Sequence, residues 1–306
     1  MRGVVLGGTC LALSTAGLCG CSEIPGAAPG PRPPHVIRRL DASELLPADL
    51  DLVIRVDVAR MRAGLGAAAA EQLAARALAD EPDALLGEAA RRADVVWIGL
   101  RLAHLDEGDR VIAFEGRMTE LEPSSATWDV RPQLREGVDV FDRRDDPPRA
   151  GVARIVRLGE RALIFASPVE ASSVGRVLRD GPDEGRGDPA ADGLVSLDLK
   201  AGRLPSHLER SFPSIANVIG GVERVRANSM LDEEGALVEA EIVAHTADGA
   251  QRARRFLEVL RDNVRDLRYA EIMKALSIEQ IERTVRVRWK LPSQVVLALL
   301  SGGEPG

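Results

Sequence analysis

The sequence predicts an α+β protein in which helices pack on one face of an antiparallel sheet, arranged as two related units. Short segments rich in β-branched residues indicate strands. Several of these come in pairs joined by short loops rich in Gly, Asp and Glu, which is typical of antiparallel hairpins. The same order of elements (strand, helix, hairpin, later strand, proline-started helix) occurs twice along the 306 residues. A degenerate internal duplication would explain this order, and chance similarity between ordinary α+β patterns is the alternative.

The first unit is predicted to span residues 36–181 and to begin with a strand over 52–58. Ile54, Val56 and Val58 would share one face of that strand, because successive side chains of a strand point to opposite sides. Prolines favour an irregular segment over 119–136. The other elements predicted in this unit are a helix over 67–79, a helix over 84–92 capped by Asp83, a hairpin of 95–102 with 111–118, a short strand over 138–143, a hairpin of 152–158 with 162–166, and a helix from Pro168 to about residue 178.

A connector over residues 182–192 is predicted to separate the two units. Its sequence is polar and rich in turn residues, and its acidic residues do not follow the spacing of an EF-hand calcium loop, which favours a solvated linker. The second unit would span 193–301, followed by a flexible tail over 302–306. Its predicted elements are a strand over 194–198, a helical stretch over 204–222, a hairpin of 225–231 with 237–245, a long helix over 248–267, a strand over 285–291, and a short helix over 293–300.

Charge and motif content exclude several classes of protein. The formal net charge is −7, so the chain as a whole does not attract nucleic acid, and no nucleic-acid partner is expected. The sequence contains no Gly-x-Ser-x-Gly elbow, no P-loop, no His-Glu-x-x-His and no dinucleotide-binding fingerprint. Its four histidines are widely separated. We therefore predict no catalytic residue, no metal site and no cofactor from motifs.

Two carboxylates are the remaining candidates for chemistry. Asp57 and Asp198 occupy equivalent places near strand ends in the two units. One hypothesis is a paired acid site at the junction of the units. The favoured interpretation is that each aspartate braces the turn that leaves its strand, together with Arg60 and Arg203, because Asp is a common turn residue.

A basic row is predicted on the strand at 285–291. Apolar residues alternate there with Arg286, Arg288 and Lys290, so one face is apolar and the other positively charged. An anion-binding surface is one interpretation. The favoured one is cross-strand pairing with Glu239 and Glu241, which alternate in the same way on a predicted neighbouring strand.

The N-terminal segment carries a targeting signal. An apolar run reaches Leu18-Cys19-Gly20-Cys21 and is followed by a Pro- and Gly-rich stretch, which is the layout of a secretory signal with a cysteine at the cleavage point. It resembles the lipobox of bacterial lipoproteins. The resemblance implies that residues 1–20 form a signal peptide, that Cys21 becomes the acylated N-terminus, and that residues 21–35 form a lipid-anchored tether. It also implies a place in the cell envelope, in the outer membrane and facing the periplasm.

Cysteine content agrees with this interpretation. Of the three cysteines, Cys10 and Cys19 would be lost with the leader, so Cys21 would be the only thiol of the mature chain. A disulfide within the mature chain would then be impossible. An acylated cysteine also avoids the reactivity of a lone thiol in an oxidising compartment.

The leading hypothesis for function is a non-enzymatic lipoprotein. It would be attached to a membrane through acylated Cys21 and would act by contacts with an envelope protein partner. One alternative is an enzyme whose site is assembled from both units, with Asp57 and Asp198 as its candidate residues. Another is a carrier of a small apolar ligand enclosed between the units.

Overall fold

An antiparallel sheet of twelve strands forms the body of the part of the chain that the structure describes. The structure is a computed structural model that describes residues 40–68, 70–71, 83–103, 108–147, 151–201, 210, 213–231, 235–264, 272–292 and 295. The predicted α+β class and antiparallel sheet are confirmed.

The elements have the following bounds. The strands are β1 Leu52–Asp57, β2 Ala93–Leu100, β3 Arg110–Gly116, β4 Trp128–Arg135, β5 Val138–Arg143, β6 Arg154–Leu158, β7 Ala162–Ala166, β8 Val195–Lys200, β9 Val222–Leu231, β10 Gly235–Ala244, β11 Leu276–Ile281 and β12 Thr284–Pro292. The helices are a 3₁₀ helix at Ala42–Leu45, α1 Val58–Leu65, α2 Ala84–Arg92, α3 Glu170–Asp180, α4 Pro213–Ile219 and α5 Ala247–Asp262.

The two halves of the sheet meet at β1 and β8, which pair with each other in antiparallel register. Outward from this pair, the order is β1-β2-β3-β7-β6 on one side and β8-β9-β10-β12-β11 on the other. Each half therefore places a central strand, a hairpin and a later pair of strands in the same sequence. The first half continues with β5 and β4, which have no counterpart in the described part of the second half.

Helices cover one side of both halves, termed the helix face. On it, α2 packs against Phe114 and Phe165 of the first half, and α5 packs against Ile242 and Val285 of the second. The rings of Phe114 and Phe165 meet edge to face, with centroids 5.7 Å apart. Both halves therefore carry a helix on this face.

The opposite side, termed the connector face, is covered differently in the two halves. In the first half, α3 and the segment 40–50 pack on it around Val156 and Ile164, so this half carries helices on both faces, unlike the prediction. The reason lies in β7, whose five residues are all apolar and all buried. A strand that is apolar on both sides needs cover on both sides.

Several local predictions differ from the structure. The predicted irregular segment 119–136 contains the edge strand β4, where Pro132 is tolerated because an edge strand has one unpaired side. Helix α1 begins at Val58, where the sequence predicted the end of the strand. Helix α5 ends at Asp262, earlier than the predicted end at residue 267, and Leu260 near its end is 47% exposed.

Other predictions concern residues outside the described ones. The signal peptide, Cys21, the tether and the tail over 302–306 all lie there, as do Arg203 and most of the predicted helices over 67–79 and 293–300. Within the described ranges, no helix is both long and apolar enough to cross a membrane.

Candidate functional site

The two predicted carboxylates lie on neighbouring strands but do not form a pair. In the β1–β8 ladder Asp198 is opposite Val53, whereas the Asp57 amide donates to the carbonyl of Leu194. Four residues along the strands, about 13 Å, therefore separate the two aspartates. The structure does not bring them together as an acid pair.

Asp57 braces the turn that leaves β1. Its carboxylate accepts a hydrogen bond from the Arg60 amide at 2.9 Å and so caps the N-terminus of α1. It also accepts one from the Arg55 guanidinium at 3.0 Å, and Arg55 itself is buried. This confirms the favoured interpretation for Asp57.

Asp198 is held by β9 and by the connector. Arg224 Nε donates to its carboxylate at 2.7 Å, Arg224 Nη2 makes a second contact, and the Asp188 amide donates at 3.0 Å. Burial alone would raise the pKa of Asp198, but these hydrogen bonds outweigh burial and hold its pKa below the usual range. The carboxylate is therefore an ionised structural anchor, fixed by Arg224.

The connector is a strap bound to the connector face at the junction of the two halves. Asp183 accepts from the Arg176 guanidinium at 2.6 Å and from the Ala48 amide at 3.3 Å. Farther along, the carbonyl of Ala190 accepts from Ser196 Oγ at 2.6 Å. The prediction of a solvated linker missed these bonds, because many of them use backbone atoms that composition does not reveal.

Beyond the connector, the second half presents two rows of polar side chains across β9, β10, β12 and β11. We term these rows the charge ladder. The first row is Arg226, Glu241, Arg286 and Glu279, and the second row is Asn228, Glu239, Arg288 and Ser277.

Pairs within the ladder confirm the predicted cross-strand contacts. Arg288 Nη2 lies 2.6 Å from Glu239 Oε1, and Arg286 Nε lies 4.0 Å from Glu241 Oε1. The two arginine side chains are 68% and 62% exposed. The sequence therefore predicted the strand and the partners of Arg286 and Arg288, whereas Lys290 lies opposite Leu237.

The ladder forms the floor of an open concavity of about 820 Å³, and Asp188, Pro189 and Ala190 of the connector line one side of it. In the first half the same face of the sheet is covered by α3 and the 3₁₀ helix. Within the described residues of the second half, no helix packs on this face. The leading candidate for a binding surface is therefore this polar sheet face, which helices cover in the first half and on which no described helix packs in the second.

A second concavity, of about 520 Å³, lies at the start of α2. Trp128 is buried in its wall, with the Arg143 guanidinium 5.9 Å from the ring centroid. Asp83 is also in the wall, but its carboxylate caps α2 through the amides of Leu85 and Leu86. Throughout the described ranges, no three His, Cys, Asp or Glu side chains group into a metal site.

Comparison with known proteins shows the fold alone. No protein-family model matches the chain, and no curated protein matches its sequence. Two solved structures of TP0453, in crystal forms I and III, superpose on it with TM-scores of 0.50. They are 12% and 11% identical to this chain, cover 86% of it, and are themselves covered over 97% and 98% of their length.

Proposed function

We propose that this protein is a lipid-anchored lipoprotein of the bacterial envelope that faces the periplasm and binds a protein partner through the charge ladder, without catalysing a reaction. The observation that carries the proposal is the charge ladder, on which no helix of the described residues packs. Eight polar side chains stand in two ordered rows on a sheet face that the first half of the molecule covers with helices.

The state of the carboxylates supports binding over catalysis. A general acid or base needs a carboxyl group that is available to the substrate and has a pKa suited to proton transfer. The carboxylate of Asp198 is buried beneath Arg224 and the connector. The carboxylate of Asp57 already binds Arg55 and caps α1. Ordered rows of exposed, opposite charges are instead suited to selecting a complementary surface.

The lipobox supports attachment through Cys21. One acyl chain binds a membrane reversibly, whereas two or more hold firmly. The lipids that the lipoprotein resemblance implies would thus suffice for attachment. The Pro- and Gly-rich stretch after Cys21 could span roughly 40 Å if it were extended at about 3.1 Å per residue. That reach would leave the ladder accessible to a partner in the periplasm.

Mass spectrometry of the mature N-terminus tests the anchor. We expect an acylated Cys21 in the wild type, and a chain that keeps its leader or leaves the membrane in Cys21→Ala. Ser22→Ala is the matched control, because it changes the neighbouring residue and leaves the cysteine in place. An unmodified Cys21 in the wild type would overturn the anchor.

Cross-linking in intact envelopes tests the surface. We expect the wild type to capture a stoichiometric protein partner and the charge reversal Glu241→Arg to lose it. Glu258→Arg introduces the same charge change on α5, away from the ladder, and should capture as the wild type does. Equal capture by all three chains would show that the ladder is not the binding surface.

A further inference from the structure

We infer that the charge ladder is self-complementary and that its partner is a second copy of this chain, packed face to face about a twofold axis parallel to the strands. The inference rests on the proposed use of the ladder for binding and names the partner. Its basis is the order of charges along the rows and the position of the connector.

The exposed part of the first row alternates in sign over an even number of strands. On β8 the row continues to Asp198, which lies 4.0 Å from Arg226 but is fully buried beneath the connector and so cannot face another copy. From β9 to β11 its charges are positive, negative, positive and negative. A twofold axis parallel to the strands, midway between β10 and β12, reverses the order of the strands in the facing copy. Arg226 then lies opposite the partner's Glu279, and Glu241 lies opposite the partner's Arg286. An alternating row of three or five residues would instead place like charges opposite each other.

The second row obeys the same symmetry. Under the same axis, Glu239 lies opposite the partner's Arg288, and Asn228 lies opposite the partner's Ser277. Within its own chain Asn228 donates to Asp192 Oδ1 at 3.0 Å and accepts from Ser196 Oγ at 3.1 Å. A side-chain amide has a second N–H and a second lone pair, so the Ser277 hydroxyl can still bond it in either direction. Two rows that are complementary under one operation describe an isologous interface, in which the same patch serves on both copies.

The edge of the sheet leaves room for the connector. The connector crosses β8, one strand beyond the ladder, and is hydrogen-bonded to the ladder only at its end, where Asn228 Nδ2 donates to Asp192 Oδ1 at 3.0 Å. On the other side, β11 is the outermost strand of the described sheet. The twofold axis therefore places the connector of each copy beside the β11 edge of the other sheet, beyond the last described strand. Facing sheets pack about 10 Å apart, a distance that Arg and Glu side chains can fill from both sides.

The side chains of the ladder retain capacity for contacts between copies. The side chains of Arg286 and Glu241 are 62% and 42% exposed. Arg286 Nε and Glu241 Oε1 are 4.0 Å apart, which is long for an ion pair, so both groups can bind another partner. A guanidinium carries five donors, so an arginine can keep its neighbour within the chain and also bind a carboxylate of the facing copy. Attraction between such exposed charges is screened by salt, so association should depend on ionic strength.

Sedimentation equilibrium of the full chain, in detergent of matched density, tests the inference. At about 0.05 M salt we expect a dimer of the wild type that dissociates at about 1 M salt, where the screening length shrinks to about 3 Å. Glu241→Arg and Arg286→Glu should each weaken the dimer by about 100-fold, because each places like charges opposite one another twice. Glu258→Arg on α5 should dimerise as the wild type does.

An equimolar mixture of Glu241→Arg and Arg286→Glu separates contacts between copies from contacts within one chain. Each variant lacks its own pair between β10 and β12, and mixing cannot restore that pair. Across the interface, however, the arginine introduced at position 241 of one variant faces the glutamate introduced at position 286 of the other. The unchanged Arg286 of the first variant likewise faces the unchanged Glu241 of the second. We therefore expect the mixture to form a heterodimer although neither variant dimerises alone. Circular dichroism of each variant confirms that it is folded.

Three results would overturn the inference: a wild type that is monomeric at low salt, single variants that dimerise as strongly as the wild type, or a mixture that stays monomeric. A monomer that captures a different envelope protein through the ladder would overturn self-association and leave the proposed function standing. An unmodified Cys21 in a chain that dimerises would overturn the anchor and leave the interface standing.

Discussion

The carboxylate of Asp198 on β8 is bound by the guanidinium of Arg224 on β9, and the Asp198 side chain has no surface exposed to solvent. The same carboxylate accepts the amide of Asp188 in the connector. One buried charge thus joins two strands and the strap that crosses them.

Asp198→Asn should lower the free energy of unfolding by about 3 kcal/mol, because removing one partner of a buried ion pair leaves the other uncompensated. Urea unfolding measures the change. The control is Asp129→Asn on the edge strand β4, whose pair with Arg144 is about half exposed and contributes less than about 1 kcal/mol. Equal effects of the two substitutions would contradict the structural role of Asp198.

The buried carboxylate of Asp198 should make the stability of the folded chain sensitive to acid. Because the pKa of Asp198 is held below its usual range in the folded chain, its contribution is complete above the unfolded value of about 3.9. That contribution is lost as the pH falls through the folded pKa. Melting temperatures of Asp198→Asn should therefore fall less steeply than those of the wild type as the pH drops below about 4. Parallel curves would contradict this assignment.

The buried carboxyl of Glu115 should make stability depend on pH in the opposite direction. Burial raises its pKa, and the hydrogen bond from Trp97 Nε1 at 2.9 Å offsets burial only in part. A carboxyl whose pKa is raised on folding loses its contribution to stability as the pH rises above the unfolded value of about 4.3. Glu115→Gln keeps an acceptor for Trp97 and carries no charge. It should be more stable than the wild type at about pH 7 and no more stable at about pH 3.5, as thermal melts would show.

Glu170 and Arg101 form a buried pair at the start of α3. Their nitrogen and oxygen atoms are 2.8 Å apart, and Glu170 is fully buried. Glu170→Gln should cost about 3 kcal/mol of unfolding free energy. Glu223→Gln, in an exposed pair with Arg283, should change stability by less than about 1 kcal/mol. A Glu170 variant as stable as its control would show that the pair contributes little.

Replacing Gly116 or Gly87 by alanine should change the stability of the protein in opposite directions. A Cβ on Gly116, at a φ of 157°, would lie 2.6 Å from the carbonyl oxygen of Arg92 and 3.0 Å from the Asp94 amide, so Gly116→Ala should be destabilising. Gly87 lies inside α2, where a Cβ would come no closer than 4.0 Å to Arg91. Gly87→Ala should stabilise by about 0.5–1 kcal/mol through helix propensity. Thermal melts of the two variants should move in opposite directions.

Local patterns predicted much of the sheet. Alternation of Val285 and Val287 with Arg286 and Arg288 predicted both β12 and its pairing with β10, because a strand has a period of two. The cap of α2 by Asp83 was also evident from residue type and position. The anchor at Cys21 stays a prediction, since it lies outside the described residues.

The exposure of the ladder could not be predicted from its own residues. The connector face of the first half is covered by α3 and by residues 40–50, and residues 40–50 are far from β7 along the chain. Nothing in the sequence of β9 to β12 shows that no described helix packs on the same face of the second half. Likewise, Asp57 and Asp198 were predicted at equivalent places, but only the register of β1 and β8 shows how far apart they lie. Contacts between distant segments carry this information.

The pairing of β1 with β8 also has a consequence for how the chain acquires its structure. Leu52 meets Leu199 across a gap of 147 residues, so one side of β1 has no hydrogen-bonding partner until the later strand has been synthesised and has arrived. Contacts so distant in sequence slow folding, and an open strand edge can pair with another nascent chain. The free edge of β1 is therefore covered only when β8 has been added to the sheet. Until then the chain is most prone to aggregate.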